Sequence, residues 1–335
     1  MSFENSNWVW KNGEFVQWED ATFHISSHGL HYGSGVFEGI RAYETKLGPA
    51  VFRLSDHLDR LFYSAGQYGL EIPYTRDELA YAIYSLIKLN ELKSCYIRPI
   101  CFFGSSSLGL NPAKCPTEVA ILAWRWGSYL GSAGLSEGVR ITISPWRKFH
   151  SSMMPTTAKA CGQYINSILA VKEALGRGFD EALLLNIEGR LAEGSGENLF
   201  IIKNGVIFTN RADDSILVGI TRDSVIQIAQ KLGIKVITRS LTLDDIFTAD
   251  EAFLTGTAAE VTPIREIDGE IIGSGKKGKV THEIQTAFFK IVSAQDEQFA
   301  SWLHFVEQHR AAHSDTAAAK PLSQQSIQSC RAAIE

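Results

Sequence analysis

Lys159 follows Pro155-Thr156-Thr157-Ala158 and precedes a helical stretch that carries Tyr164. A lysine becomes a nucleophile when burial or a neighbouring cation depresses its pKa. Downstream, Glu193-Gly194-Ser195-Gly196-Glu197-Asn198 sets two carboxylates in a glycine-rich turn ahead of an apolar strand. Glycines there permit unusual backbone angles and close approach of a bulky ligand. Gly219-Ile220-Thr221 opens an amphipathic helix with Val225, Ile228, Ala229 and Leu232 on one face. Free backbone N–H groups at such a start cradle a phosphate. Leu254-Thr255-Gly256-Thr257-Ala258 ends a strand in a small-residue turn whose amides and Thr257 hydroxyl suit an anion. Each feature alone is ordinary, since most lysines are solvated and Thr221 alone reads as an N-cap. Together they offer an amine, a carboxylate for a ring nitrogen and two phosphate cradles, which are the needs of pyridoxal phosphate.

Other motifs carry less. Gly273 to Lys279 begins like a P-loop, but Val280 stands where Ser or Thr would hold Mg²⁺, so it reads as a solvated basic turn before a helix. Gly33-x-Gly35-x-x-x-Gly39 misses the dinucleotide fingerprint by one residue and follows polar chain. His24, His28 and His31 lack a carboxylate at ligand spacing and read as structural, so no metal site is expected.

The positioning elements follow from pattern. Asn12-Gly13 between Trp8–Lys11 and Glu14–Trp18 signals a hairpin. Leu58, Leu61, Phe62, Ala65 and Tyr68 give helical spacing over Asp56–Gly69, and Thr75-x-x-Glu78 is a capping box for a second helix. Strands are expected over 50–52, 94–104 and 117–126. Polar, Gly-rich chain over 128–138 reads as an interdomain linker. Beyond it, strands over 139–144, 182–185, 198–203, 206–209, 235–239 and 250–254 alternate with helices over 163–175, 222–232, 282–292 and 298–309. The domains are therefore 1–127 and 139–310, with a weakly apolar tail at 311–335.

The chain has 335 residues, ample for two α/β-type domains. Lys+Arg is 32 against Asp+Glu 37, a net charge of −5 that disfavours nucleic acid as main partner. No apolar run approaches a membrane span, and Met1 to Lys11 lacks the pattern of a signal peptide. The cysteines, Cys95, Cys101, Cys115, Cys161 and Cys330, are scattered and read as reduced thiols in the cytoplasm.

Glu193-x-Ser195-x-x-Asn198-Leu199-Phe200, then Ile207-x-Thr209 and Leu217-x-Gly219-Ile220-x-Arg222, resembles the signature of class IV pyridoxal-phosphate aminotransferases at every fixed position. Tyr32-Gly33-x-Gly35-Val36-Phe37-Glu38-Gly39-Ile40-Arg41, Tyr96-Ile97-Arg98-Pro99 and Gly256-Thr257-Ala258-Ala259-Glu260 narrow the resemblance to branched-chain amino acid aminotransferases. It covers about Trp8 to Phe289.

The resemblance implies a fold type IV enzyme: a smaller N-terminal α/β domain and a larger C-terminal domain with a mixed, barrel-like sheet. Lys159 would form the internal aldimine and shuttle the proton, Glu193 would pair with the pyridinium nitrogen, and Tyr164 would bond the phenolic oxygen. Arg60, the Ile220 and Thr221 amides, and Thr257 would hold phosphate, with Gly196, Asn198, Leu217, Gly219 and Gly256 completing the cofactor site. Tyr96 and Thr257–Ala258 would take the α-carboxylate. Phe37, Gly39, Trp126, Tyr129 and Tyr164 would shape the side-chain pocket, with Tyr32 from a second subunit. A glutamate γ-carboxylate needs Arg98 or Arg41. Arg98 is the stronger candidate, because Tyr-x-Arg-Pro recurs in enzymes that hold both substrates; Arg41 is equally well read as a structural ion pair with Glu38.

The implied reaction is ping-pong transfer of the amino group of Leu, Ile or Val to 2-oxoglutarate. The implied assembly is at least a homodimer, with a trimer of dimers as the larger alternative. Rivals on the same fold, acting on D-amino acids or R-amines, would differ at Phe37, Tyr96 and Arg98. Arg125 and Cys161 depart from the usual family pattern, and the tail after His309 exceeds the usual family length.

Overall fold

The computed structural model describes residues 6–127 and 130–307. At the start of the chain, β1 (Trp8–Lys11) and β2 (Glu14–Gln17) form the expected hairpin, with Val9 opposite Val16. Asn12 and Gly13 both take positive φ, as a primed two-residue turn requires. A short helix α1 (His28–Tyr32) leads into β3 (Gly35–Phe37), β4 (Ile40–Thr45) and β5 (Gly48–Phe52). Helix α2 (Leu54–Gln67) starts directly after Arg53, which adopts φ 51° and ion-pairs with Asp56 in the first turn. Helix α3 (Arg76–Leu89) carries the complete Thr75–Glu78 capping box. Then come β6 (Cys95–Phe103) and β7 (Thr117–Trp124).

Helix α4 (Gly131–Glu137) occupies much of the expected linker, and Leu135 O accepts from Gln285 Nε2, so this segment is packed rather than free. The remaining elements are β8 (Val139–Arg147), α5 (Tyr164–Gly176), β9 (Glu181–Leu185), β10 (Leu191–Gly194), β11 (Asn198–Lys203) and β12 (Val206–Thr209). They continue with α6 (Ile220–Lys231), β13 (Val236–Thr238), α7 (Leu243–Phe247), β14 (Glu251–Gly256), β15 (Glu260–Ile267), β16 (Glu270–Ile271), α8 (Lys279–Val292) and β17 (Leu303–Phe305).

Among the described residues the strands form two sheets. One has the order β17-β5-β4-β6-β7-β1-β2 with β3 on β6, and the other β10-β9-β8-β15-β14-β11-β12-β13 with β16 on β15. The second is mixed: β8 runs parallel to both β9 and β15, while β14 is antiparallel to β11 and β15. An apolar seam joins the sheets, with Phe52 of β5 against Phe288 of α8 at 5.6 Å between centroids. Burying such large aromatic surfaces is worth about 1.5–3 kcal/mol for each side chain.

The expected helix over 298–309 is corrected. A 3-10 helix covers Glu297–Trp302, and β17 then pairs antiparallel with β5, Leu303 opposite Phe52. The end of the described chain thus completes the first sheet. The P-loop-like segment is also settled: Glu251 accepts from the amides of Val280 and Thr281, so a carboxylate fills the α8 N-terminus where a phosphate would sit. No helix among the described residues is long and apolar enough to cross a membrane.

Candidate active site

Between the two sheets lies a cavity of about 370 Å³, within the range of small-molecule sites. It is lined by Phe37, Gly39, Arg60, Tyr96, Arg98, Trp126, Lys159, Tyr164, Glu193, Gly196, Asn198, Leu217, Gly219, Ile220, Thr221, Gly256, Thr257 and Ala258. Most residues singled out in the sequence therefore converge.

Lys159 is fixed by its backbone from both sides. Its amide donates to Ser64 Oγ at 2.9 Å, and its carbonyl accepts from Phe37 N at 3.0 Å. Its Nζ donates to Tyr164 Oη at 2.5 Å. Burial and then the Arg60 guanidinium lower its pKa to about 8, which raises the fraction of free amine. Burial pushes Tyr164 up to about 12, so the phenol keeps its proton.

Glu193 stands at the end of β10, buried. Its Oε2 accepts from Leu217 N at 2.9 Å and Asn198 Nδ2 at 3.2 Å, and its Oε1 pairs with Lys148 Nζ at 2.6 Å. A Cβ on Gly194 would meet Glu197 Oε2 at 2.6 Å and Glu197 O at 3.3 Å, so the Glu197 carboxylate would have to shift. A Cβ on Gly196 would meet nothing within 4 Å, so that glycine leaves space. Glu197 is buried too, and burial and then the Glu181 carboxylate push it well above the usual range.

Helix α6 begins after Gly219 with no side-chain cap, leaving its first-turn amides for an anion. A Cβ on Gly219 would overlap Asn198 Oδ1. Arg60 reaches this end of the cavity from α2: Nη1 donates to Val218 O at 3.1 Å. It also grips Glu38 through Nε at 2.6 Å and Nη2 at 2.9 Å. Opposite, Gly256 pairs with Glu260 to close the turn through Thr257 and Ala258.

The remaining wall is aromatic. Phe37 meets Tyr164 edge-on at 4.8 Å and Tyr96 meets Trp126 at 4.5 Å. The Arg98 guanidinium lies over Phe37 at 4.6 Å, donates to Tyr96 Oη at 3.2 Å, and leaves its buried Nε without a partner. A Cβ on Gly39 would overlap the Tyr96 hydroxyl.

Three expected residues stand apart. Arg41 does not line the cavity; it pairs with Glu260 at 3.4 Å, while Glu38 binds Arg60 and His57 instead. Tyr32 is 46% exposed, and its hydroxyl donates to Leu108 O. Tyr129 lies outside the described residues. The histidines make local hydrogen bonds: His24 with Ser26, His28 with Ser34 and Gly109 O, and His31 with Ile25 O. Among the described residues no His/Cys/Asp/Glu group could hold a metal. Sequence reasoning missed Lys148, whose pairing with Glu193 crosses from one strand end to another.

The donors fit pyridoxal phosphate. They include a partly deprotonated lysine, a buried carboxylate, a protonated phenol, an uncapped helix start and an arginine. The family model described as amino-transferase class IV matches residues 35–267. The chain is 48% identical over 299 residues to a branched-chain-amino-acid aminotransferase of Pseudomonas aeruginosa, covering 89% of this chain and 97% of that protein. It is 44% identical to that of Escherichia coli K12, covering 92% and 100%. A crystal structure of the Escherichia coli enzyme superposes with a TM-score of 0.89 at 44% identity, covering 90% of this chain and all of the other. The T.th. branched-chain amino acid aminotransferase complexed with N-(5'-phosphopyridoxyl)-L-glutamate superposes at 0.87 with 46% identity, covering 90% and 99%.

Proposed function

The chain belongs to the class IV aminotransferases, and from that premise we propose how its own residues carry out branched-chain transamination. It is a pyridoxal-phosphate-dependent branched-chain-amino-acid aminotransferase, moving the amino group of L-Leu, L-Ile or L-Val to 2-oxoglutarate. When bound, the cofactor supplies a carbonyl to link the amine and a ring that accepts the electron pair left when the Cα proton departs.

Lys159 would supply the amine for that link and would move the proton from the substrate Cα. The carrying observation is its environment: a lysine at pKa about 8, 2.5 Å from Tyr164, in the cavity that also holds Glu193. Glu193 holds the ring nitrogen protonated. Tyr164 donates to the phenolic oxygen. Arg60 and the Ile220 and Thr221 amides hold the phosphate, with Thr257.

The Thr257–Ala258 turn and Tyr96 orient the α-carboxylate, while Phe37, Trp126 and Tyr164 exclude water around the aliphatic side chain. The second substrate brings a further carboxylate into the same space, at a cost of several kcal/mol if left unpaired. Arg98, with a partnerless buried Nε, satisfies it. Arg41 instead ties β4 to the β14–β15 hairpin through Glu260.

The working unit is a homodimer. Supporting this are exposed apolar residues, among them Ile165 and Ile168 of α5, Leu110 at 80% and Tyr32 at 46%. The four described cysteines are free thiols, which supports a cytoplasmic location. Initial rates with L-Leu, L-Ile, L-Val and D-Ala test the function: the L-branched substrates are expected to lead, and faster transfer from D-Ala would refute it.

A further inference from the structure

Lys148 is a cavity residue that the reaction described above does not use. It follows β8, where its amide donates to Leu185 O at 2.8 Å and so extends the β8–β9 ladder by one step. The side chain is 7% exposed as a residue and lies over Phe149 at 4.8 Å. A buried ammonium without a partner is strongly disfavoured; Lys148 has one, Glu193 Oε1 at 2.6 Å.

The charges around the cavity sort into pairs. Arg60 is matched by Glu38, and Lys148 by Glu193. Lys159 and Arg98 line the same cavity and have no carboxylate pair among the described residues. These are the two cations assigned to the reacting carbonyl and the second carboxylate. Lys148 therefore serves Glu193 rather than an incoming ligand. A carboxylate has about four acceptor positions. Leu217 N and Asn198 Nδ2 take those on Oε2, and Lys148 takes one on Oε1. One position on Oε1 remains for a ring N–H.

We propose that Lys148 is a positioning residue for the cofactor: its contact with Oε1 fixes the orientation of Glu193 and leaves one Oε1 lone pair for the ring nitrogen. The inference rests on the reading of Glu193 as the ring-nitrogen partner. The other titratable groups facing Glu193 are Tyr164, from α5, and Glu197, from the adjoining turn. Neither supplies a positive charge, and the cation in contact with Glu193 is Lys148.

The test uses the full chain freed of cofactor, as wild type, Lys148→Met, Lys148→Arg, Glu193→Gln and the Met/Gln double variant. Two quantities are read: the dissociation constant of pyridoxal phosphate by fluorescence quenching, and thermal melting of the cofactor-free protein. Lys148→Met is expected to weaken binding by about 10- to 100-fold, the scale of a charge-assisted hydrogen bond. Lys148→Arg restores it to within about threefold, since a cation returns to the same carboxylate. In the Glu193→Gln background Lys148→Met changes binding by less than about twofold, and the double variant melts no lower than Glu193→Gln alone. Equal weakening in both backgrounds, additive losses in melting, or unchanged binding in Lys148→Met would overturn the proposal. Wild-type protein that melts normally but binds no pyridoxal phosphate would instead overturn the assigned function, and the melting cycle alone would then still decide whether Lys148 and Glu193 act as a pair.

Discussion

Arg60 and Glu38 form a two-pronged ion pair, Nε to Oε1 at 2.6 Å and Nη2 to Oε2 at 2.9 Å, with the Glu38 side chain fully buried. Burial alone would push that carboxyl up, but Arg60 and then His57 hold it well below the usual glutamate range. Its stabilisation is therefore present above the unfolded pKa, about 4.3, and is lost as pH falls toward the lower folded value. Glu38→Gln leaves a buried guanidinium without its carboxylate and is expected to cost about 3–5 kcal/mol in urea unfolding at neutral pH. The gap between wild type and variant narrows on acidification below about pH 4.

Lys159 titrates in the opposite sense. Its folded pKa, about 8, lies below the ordinary lysine value. Between pH 8 and about 10.4 the unfolded chain binds the extra proton, so this residue's contribution to stability rises with pH. The difference in unfolding free energy between cofactor-free wild type and Lys159→Met should therefore shift in favour of wild type across that window. A difference that stays flat would show that the amine is not depressed.

Arg98 and Arg41 separate cleanly. Arg98→Gln removes the cation whose Nε has no partner, and kcat/KM for 2-oxoglutarate is expected to fall by about 100-fold, with that for L-leucine changed far less. Arg41→Gln breaks the pair with buried Glu260, so it lowers the melting temperature without a selective effect on either substrate. Steady-state kinetics with both substrates and a melting curve for each variant check this.

Gly39 matters through contact rather than backbone angle. Alanine there drives its methyl into the Tyr96 hydroxyl. Gly39→Ala should raise KM for amino acid and oxo acid together, by about 10-fold, because the proposed function places the α-carboxylate of both against Tyr96.

Local chemistry was legible in the sequence. The Asn12-Gly13 turn, the Thr75 capping box and the bounds of β11 and β12 are set by residues adjacent in the chain. The glycine-rich and helix-start motifs around Glu193 and Thr221 also carried their positions. What pairing across the chain decides was not legible. β17 is three residues long and owes its strand form to β5. Arg41 finds Glu260 rather than nearby Glu38 because Glu38, in the link between β3 and β4, is taken up by Arg60 and His57. Lys148 reads as one basic residue among Arg147 and its neighbours until β8 and β10 bring it to Glu193.

The role of Lys159 under the proposed function is to link the cofactor and drive transfer from branched-chain amino acids. Its most direct test is borohydride reduction of the purified holoenzyme followed by peptide mapping, run beside a glutamate-formation assay with L-leucine and 2-oxoglutarate. A phosphopyridoxyl label is expected on Lys159 in wild type. No label is expected in Lys159→Ala, whose turnover falls by about 10⁴-fold or more. A label on another lysine, or Lys159→Ala that still forms glutamate at a rate close to wild type, would contradict it.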